Sequence, residues 1–295
     1  MLSVSIVIVS YGSHEYLPAC LKSLLENVKD YPQAHVTLVE NKQEREAQLA
    51  TAKAAGPFLK QGLNLLNAPT NLGYGGGANW GWPQAGEAEV YIVLNPDMSF
   101  PQGWLPRFMV PFERDKTVGV VGCKLLSGDG KIQHAGGLTR YDLALAEHFG
   151  VGEPDDGRWD QSCEVEFVTG AALGISRKAM QALNGFDVAY FPGYYEDVDL
   201  CWRAQEAGFK VWYEAAAVAY HYEGGTFGRQ VGYYRTLHRN RLRFVLQHYD
   251  SARLLHGFLP AEKARLQGTM DEMDRQAGLA VYHAAAQSFI NALEK

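Results

Sequence analysis

The chain lacks most of the features that would place it in a special class. It has only four cysteines, Cys20, Cys123, Cys163 and Cys201, none close to another and none at metal-ligand spacing. That excludes a disulfide-stapled scaffold and a cysteine-held zinc, and reads as the reduced thiols of a cytoplasmic protein. Positive charge is not in excess, since 27 Lys and Arg against 33 Asp and Glu leave a net charge of −6. A surface that binds nucleic acid all over is therefore not expected. No apolar run is long enough to span a bilayer, and Val4 already opens a core-type run, so no leader peptide is expected ahead of it. Lying against the inner face of a membrane stays open. A G-x-G-x-x-G pattern after a clean strand is also missing, which removes the dinucleotide fingerprint.

What is present is an ordinary globular composition, 47% hydrophobic and 20% charged over 295 residues. That is enough for one large domain or two smaller ones. Val90 to Leu94 is an unbroken β-branched and aromatic run, read as a strand buried on both faces. Pro96 ends it, and Asp97 is thereby delivered just past the carboxyl end of a core strand. Ligands bind at that edge of open α/β sheets, and a carboxylate there suits a divalent cation that carries phosphates. Earlier strands are expected at Val4–Val9, Val36–Val39 and Leu63–Leu66, with helices between them. This alternation predicts a mostly parallel nucleotide-binding sheet flanked by helices. Ser10-Tyr11, Glu40-Asn41 and Asn95-Asp97 would then converge on one edge, where Glu40 can accept from the imide N–H of a pyrimidine. The run from Asn71 through Gly73, Tyr74, Gly75, Gly76 and Gly77 to Asn79 reads as a glycine loop that opens a helix. It serves either as an approach for a nucleotide or as a turn.

Six segments in this order carry a resemblance: Val7-Ile8-Val9-Ser10-Tyr11, Val39-Glu40-Asn41, Asn71-Leu72-Gly73, Leu94-Asn95-Pro96-Asp97, Thr169-Gly170-Ala171 and Glu196-Asp197-Val198-Asp199-Leu200-Cys201-Trp202-Arg203. Together they resemble the family 2 glycosyltransferases over roughly Ser3 to His248, nearest to the rhamnosyltransferase-like branch that builds bacterial surface polysaccharides such as O-antigen. The resemblance implies a GT-A fold, inversion at the anomeric carbon, a nucleotide-diphosphate-sugar donor and a divalent cation, Mg2+ or Mn2+. It implies donor contacts from Ser10, Tyr11, Glu40, Asn41, Asn71, Gly73, Gly76, Asn79, Asn95 and Asp97. Asp197 becomes the base that takes the acceptor proton, and Glu196 binds an acceptor hydroxyl; Tyr195 is expected beside them, and the small residues around Gly170 either let a sugar approach the backbone or serve tight packing. His221 completes a metal site with Asp97. By branch the donor is dTDP-L-rhamnose, with UDP-galactofuranose, UDP-galactose and UDP-N-acetylglucosamine open. The acceptor is a glycan or a lipid-linked glycan. Gly12 stands where many relatives have Asn, and Glu40 where Asp is usual. Asn95 leaves Asp97 as the only carboxylate ligand from its strand.

Beyond the motifs, Val118 to Leu126 reads as a strand and a turn, and His134 as a loop residue. Residues 139–163 read as a mobile loop near the acceptor, and Val165–Val168 as a strand. A helix is expected from Glu196 to about Ala207, ended by Gly208, in which Asp199 and Arg203 are structural. Eight Lys and Arg against two Asp and Glu fall between Gly228 and Arg265. Arg235, Arg239, Arg241 and Arg243 among them form a solvated face, a diphosphate contact or an attraction to anionic lipid. A last amphipathic helix carries Tyr282, Ala286, Phe289, Ile290 and Leu293, and packs on the domain, on a second copy or on a membrane. The division is then 1–226 for the transferase domain and 227–295 for a helical extension. A sugar-nucleotide pyrophosphorylase is disfavoured because Ser10-Tyr11-Gly12-Ser13-His14 lacks a basic glycine-rich loop. A non-catalytic nucleotide-sugar module is disfavoured because Asp97, Asp197 and His221 are all retained.

Overall fold

The computed structural model describes residues 1–222 and 230–293. The expected division between 226 and 227 lies outside the described residues. Four parallel strands, β1 (Val4–Ser10), β2 (Ala34–Glu40), β3 (Leu63–Asn67) and β4 (Val90–Leu94), stand in the order β3-β2-β1-β4. Helices α1 (Leu17–Lys29), α2 (Arg45–Leu59) and α3 (Gly73–Gln84) connect them. Alternation along β1 decides the layering. Ile6 and Ile8 enter the core under α1, while Val7 and Val9 enter the opposite core with Ala78 and Trp82 of α3.

The glycine run is not a loop. It forms the first turns of α3, and its small residues let the helix lie flat on the sheet. A Cβ on Gly77 would stand 2.9 Å from Val9, and one on Gly81 would stand 2.9 Å from both Val7 and Val39. Helix–sheet packing therefore claims glycines that the sequence offers equally to a ligand.

The second half continues through β5 (Met98–Ser99), α4 (Trp104–Arg114), β6 (Val118–Leu126), β7 (Ile132–His134), β8 (Gly137–Arg140), β9 (Leu145–His148) and β10 (Cys163–Glu164). Then come β11 (Ala172–Ser176), α5 (Arg177–Leu183), a 3-10 turn (Val188–Tyr190), α6 (Glu196–Glu206) and β12 (Lys210–His221). The sheet extends as β4-β11-β6-β12-β10, with β11 antiparallel to both neighbours and β12 parallel to β6. It is thus parallel in its first half and mixed in its second.

Two expectations change here. Residues 139–163 are not a bare loop: β8 and β9 pair as a hairpin, and Asp155 and Asp160 both bind the buried Lys124 ammonium, Asp155 at 2.8 Å. Four-residue strands bonded mainly to each other leave little periodicity to read. Val165–Val168 is not a strand either. The chain crosses the sheet there, with Val168 over Gly122, whose Cβ would fall 2.4 Å from it.

The C-terminal part comprises α7 (Val231–His248), a π-helical turn (Arg253–Phe258), α8 (Leu259–Gln267) and α9 (Glu272–Leu293). Arg241 leaves the expected solvated face and is 1% exposed. Its Nε donates to the Leu143 carbonyl at 2.7 Å, and both terminal nitrogens hold Glu262, which Arg265 and the Tyr282 hydroxyl also bind. The start of α9 packs on α7, whereas Phe289, Ile290 and Leu293 are exposed. No helix among the described residues is long and apolar enough to cross a membrane.

Candidate active site

The strand edge brings together side chains that are distant in sequence. After Pro96 turns the chain, β5 pairs with the end of β12, setting His221 against Met98. Asp97 and His221 are thereby neighbours, 8% and 7% exposed. Their Oδ1 and Nε2 atoms stand 3.2 Å apart, yet Oδ1 is a buried oxygen that accepts no hydrogen bond. Asn95 Nδ2 stands 3.0 Å from the same Nε2, and Gln133 Oε1 lies 2.7 Å from His221 Nδ1. A side-chain amide oxygen can only accept, so the proton is assigned to Nδ1 and a lone pair to Nε2. A carboxylate oxygen and a nitrogen lone pair then lie side by side, a pair suited to a divalent cation once the Asn95 amide that donates to Nε2 is displaced. Among the described residues no group of three or more His, Cys, Asp or Glu gathers as a metal site. The pair would leave most coordination positions to oxygens from outside the protein.

The second group sits at the start of α6. Tyr194 and Tyr195 both hold φ +72°, a left-handed conformation that is costly for such residues. Two features hold this turn. Asn240 of α7 donates to the carbonyls of Tyr190, Gly193 and Tyr194 at 2.8–2.9 Å, and the buried Tyr195 hydroxyl donates to Ala144 at 2.6 Å. The turn presents Asp197, whose Oδ2 accepts from the Gly170 N–H at 2.8 Å and whose Oδ1 accepts from its neighbour Val198 at 2.9 Å. Glu196 is 6% exposed with one oxygen unpartnered. Burial, then the charge of Asp197, pushes its carboxyl well above the ordinary range. Asp199 is structural as expected, bound by Arg203, Tyr190 and His248.

Tyr74 joins the two groups, and sequence reasoning gave it no role. Its hydroxyl donates to the Gly170 carbonyl at 2.6 Å. Burial, followed by the charges of Glu196, Asp197 and Asp97, pushes its phenol well above the ordinary value. The backbone sets the two groups side by side: the Asn95 N–H donates to the Ala171 carbonyl at 2.9 Å, next to the Gly170 whose N–H binds Asp197.

The residues expected to hold a nucleotide divide sharply. Glu40 is fully buried, and its oxygens accept from Ser10 Oγ (3.0 Å), Gly12 N (3.0 Å), Lys42 N (2.8 Å) and Thr51 Oγ1 (2.5 Å). Its acceptor positions are filled from within the chain, so the expected contact with a base is not available to it here. Asn41 binds Leu72 N and Gly73 O, Asn71 accepts from Gly73 N, and Asn79 binds both backbone groups of Phe186. Gly73 has φ +71°, and a Cβ there would meet Pro192 O at 2.9 Å; one on Gly76 would meet Leu72 at 3.2 Å. Tyr11 is 39% exposed, with the Lys42 ammonium 5.7 Å from its ring centre. Of the acceptor-side residues, Gly170 touches Asp197 and Tyr74, whereas Tyr195 is turned inward. Three further residues support this site: Gln133, Asn240 and His134, whose Nε2 accepts from Thr169 N at 3.3 Å. Nothing in the local sequence marks the first two.

The sheet and its flanking helices make a fold of the GT-A type. The model of the family described as "Glycosyltransferase like family 2" matches residues 3–244, and the chain belongs to that family. Among curated relatives, the O-antigen biosynthesis protein RfbC of Myxococcus xanthus is 28% identical over 236 residues, covering 76% of this chain and 17% of its own. The N-acetylglucosaminyl-diphospho-decaprenol L-rhamnosyltransferase of Mycobacterium tuberculosis (strain ATCC 25618 / H37Rv) is 28% identical over 188 residues, covering 57% of this chain and 61% of its own. The chain thus spans less than two thirds of either relative. The structure of GalNAc-T7 with UDP, GalNAc and Mn2+ aligns with a TM-score of 0.69 at 15% identity, over 93% of this chain and 53% of that one. This likeness establishes the fold.

Proposed function

We propose that the chain is an inverting, cation-dependent glycosyltransferase that moves a sugar, L-rhamnose from dTDP-L-rhamnose, to a glycan or lipid-linked glycan in bacterial surface polysaccharide synthesis. The observation that carries this reading is the unpartnered Asp97 Oδ1 beside His221 Nε2, with Asp197 held by Gly170 next to the point where Ala171 pairs with Asn95. The structure of like fold solved with UDP and Mn2+ and the relative named as a rhamnosyltransferase support it. Asp97 and His221 would hold Mg2+ or Mn2+, which when bound offsets the charge growing on the departing diphosphate. Asp197 takes the proton of the acceptor hydroxyl as that oxygen bonds to the anomeric carbon. The bond from that carbon to the diphosphate breaks, and the nucleoside diphosphate leaves with the electron pair. The two backbone N–H groups on Asp197 hold its carboxylate in one orientation, and Glu196 and Gly170 line the acceptor side. On the donor side Tyr11 offers an exposed ring for the base and Asn95 lies beside the diphosphate. Ser10, Glu40, Asn41, Asn71, Gly73, Gly76 and Asn79 shape the pocket by holding strand ends and α3 in place.

The test is a panel of dTDP- and UDP-sugars, rhamnose, galactofuranose, galactose and N-acetylglucosamine, with Mn2+, Mg2+ or EDTA, scored for nucleoside diphosphate release with and without a glycan acceptor. Cation-dependent release from one donor is expected. Nucleotide binding without release from any donor would favour the non-catalytic module instead.

A further inference from the structure

We propose that Gln133 is a positioning residue for the cation site, fixing the tautomer and aim of His221. The inference rests on the reading of Asp97 and His221 as cation ligands. Its first support is geometric. Gln133 reaches His221 Nδ1 at 2.7 Å across 88 residues of sequence, with an atom that can only accept. The ring nitrogen that keeps its lone pair is then Nε2, the one beside Asp97 Oδ1, where a cation would take the place of the Asn95 amide. An imidazole ligand needs this from its partner: a proton held on the far nitrogen and a ring that does not turn.

The second support is independent and lies in the backbone. In the β6–β7 ladder Leu126 faces Ile132 and Leu125 faces His134, so one step on β6 matches two on β7. Gln133 is the extra residue of a bulge. A bulge re-aims one side chain without breaking the strands on either side, and bulges gather beside active sites. The irregularity leaves Gln133 unpaired in the ladder while its side chain meets the imidazole.

A neutral amide has a specific merit in this position. It accepts the Nδ1 proton without adding negative charge next to Asp97. An apolar residue of like size would fill the space but leave Nδ1 without its acceptor, so that only the Asn95 amide beside Nε2 would still bias the tautomer. With the proton on Nε2, the same ring would donate to Asp97 Oδ1 and close the point at which a cation would sit.

The experiment measures Mn2+ binding by the fall of the free-ion EPR signal, with UDP or dTDP present, for the wild type, Gln133→Leu, Gln133→Glu, His221→Ala and Asp97→Ala. Gln133→Leu should weaken Mn2+ binding about 10-fold or more, the scale seen when a partner of a ligating His is removed. Gln133→Glu, which keeps the acceptor, should bind within about threefold of the wild type or tighter. Histidine 15N spectra of the full chain add a measurement that needs no Gln133 variant: the signals lost in His221→Ala should show Nδ1 protonated in the wild type. Three results overturn the inference. If His221→Ala loses Mn2+ and Gln133→Leu does not, the positioning role falls and the cation site stands. An Nε2-protonated His221 in the wild type has the same meaning. If Asp97→Ala and His221→Ala bind Mn2+ as the wild type does, the cation reading itself falls and takes Gln133 with it.

Discussion

Replacing Asp197 by Asn tests the proposed chemistry most directly, and the structure sets its scale. Both carboxylate oxygens accept backbone N–H bonds, from Gly170 at 2.8 Å and from Val198 at 2.9 Å. An amide offers one acceptor oxygen, so its NH2 must face one of these donors and strand it. The unmet donor costs about 1–3 kcal/mol of stability, a fall in Tm of a few degrees for a chain of this size. The loss of a general base lowers turnover by about 10²–10⁴-fold, or roughly 3–5 kcal/mol at the barrier. The Asp197 oxygens are held by Gly170 and Val198 and the proposed role is on the acceptor, so nucleotide affinity should stay within about tenfold of the wild type. The assay is nucleoside diphosphate release with donor and acceptor, beside calorimetric titration of the nucleotide with Mn2+. Turnover within tenfold of the wild type would remove Asp197 as the base. A large loss of nucleotide affinity would move it to the donor side.

Tyr74→Phe keeps the ring and removes the hydroxyl that holds the Gly170 carbonyl. It should lower kcat several-fold at unchanged donor KM, since one hydrogen bond is worth about 1 kcal/mol; a change confined to donor KM would refute the link to Asp197. The raised Glu196 carboxyl means that the folded chain keeps a proton which the unfolded chain releases. Its stabilising share is complete below the ordinary carboxylate range and is lost as pH rises toward the folded value. Glu196→Gln should therefore raise Tm more at pH 8 than at pH 4, and an equal shift at both would contradict the assignment. Burial raises the Glu262 carboxyl, but Arg265 and Arg241 lower it further, to about 2. Glu262→Gln leaves Arg241 buried without its counter-charge and should cost about 3–5 kcal/mol in urea unfolding, whereas a loss under 1 kcal/mol would show the pair to be solvated.

Much of this site was legible because its chemistry sits at the ends of elements. Asp97 follows the one proline that could end its strand, and Asp197 opens a helix that Gly208 closes at φ +82°. The pairing of His221 with Asp97 came from the family resemblance. What escaped was the set of internal bonds. Glu40 is at a strand end as expected, but its extra methylene gathers four donors of its own chain. Tyr195 precedes the acids as expected, yet its hydroxyl meets a carbonyl 51 residues away. The Gln133 and Asn240 contacts span 88 and 46–50 residues. No local pattern encodes a side chain whose meaning lies in a partner that far along the chain.

The bond from Asn240 to the turn before α6 has a consequence for how such enzymes can be recombined. Asn240 and His248 of α7 fasten the segment that carries Glu196 and Asp197, through three carbonyls and through Asp199. Helix α7 is thus a splint for the turn that carries Asp197, rather than an appendage. A chimera that borrows α7 from a relative would inherit that relative's setting of the turn before Asp197, even with every motif in the first 222 residues left untouched.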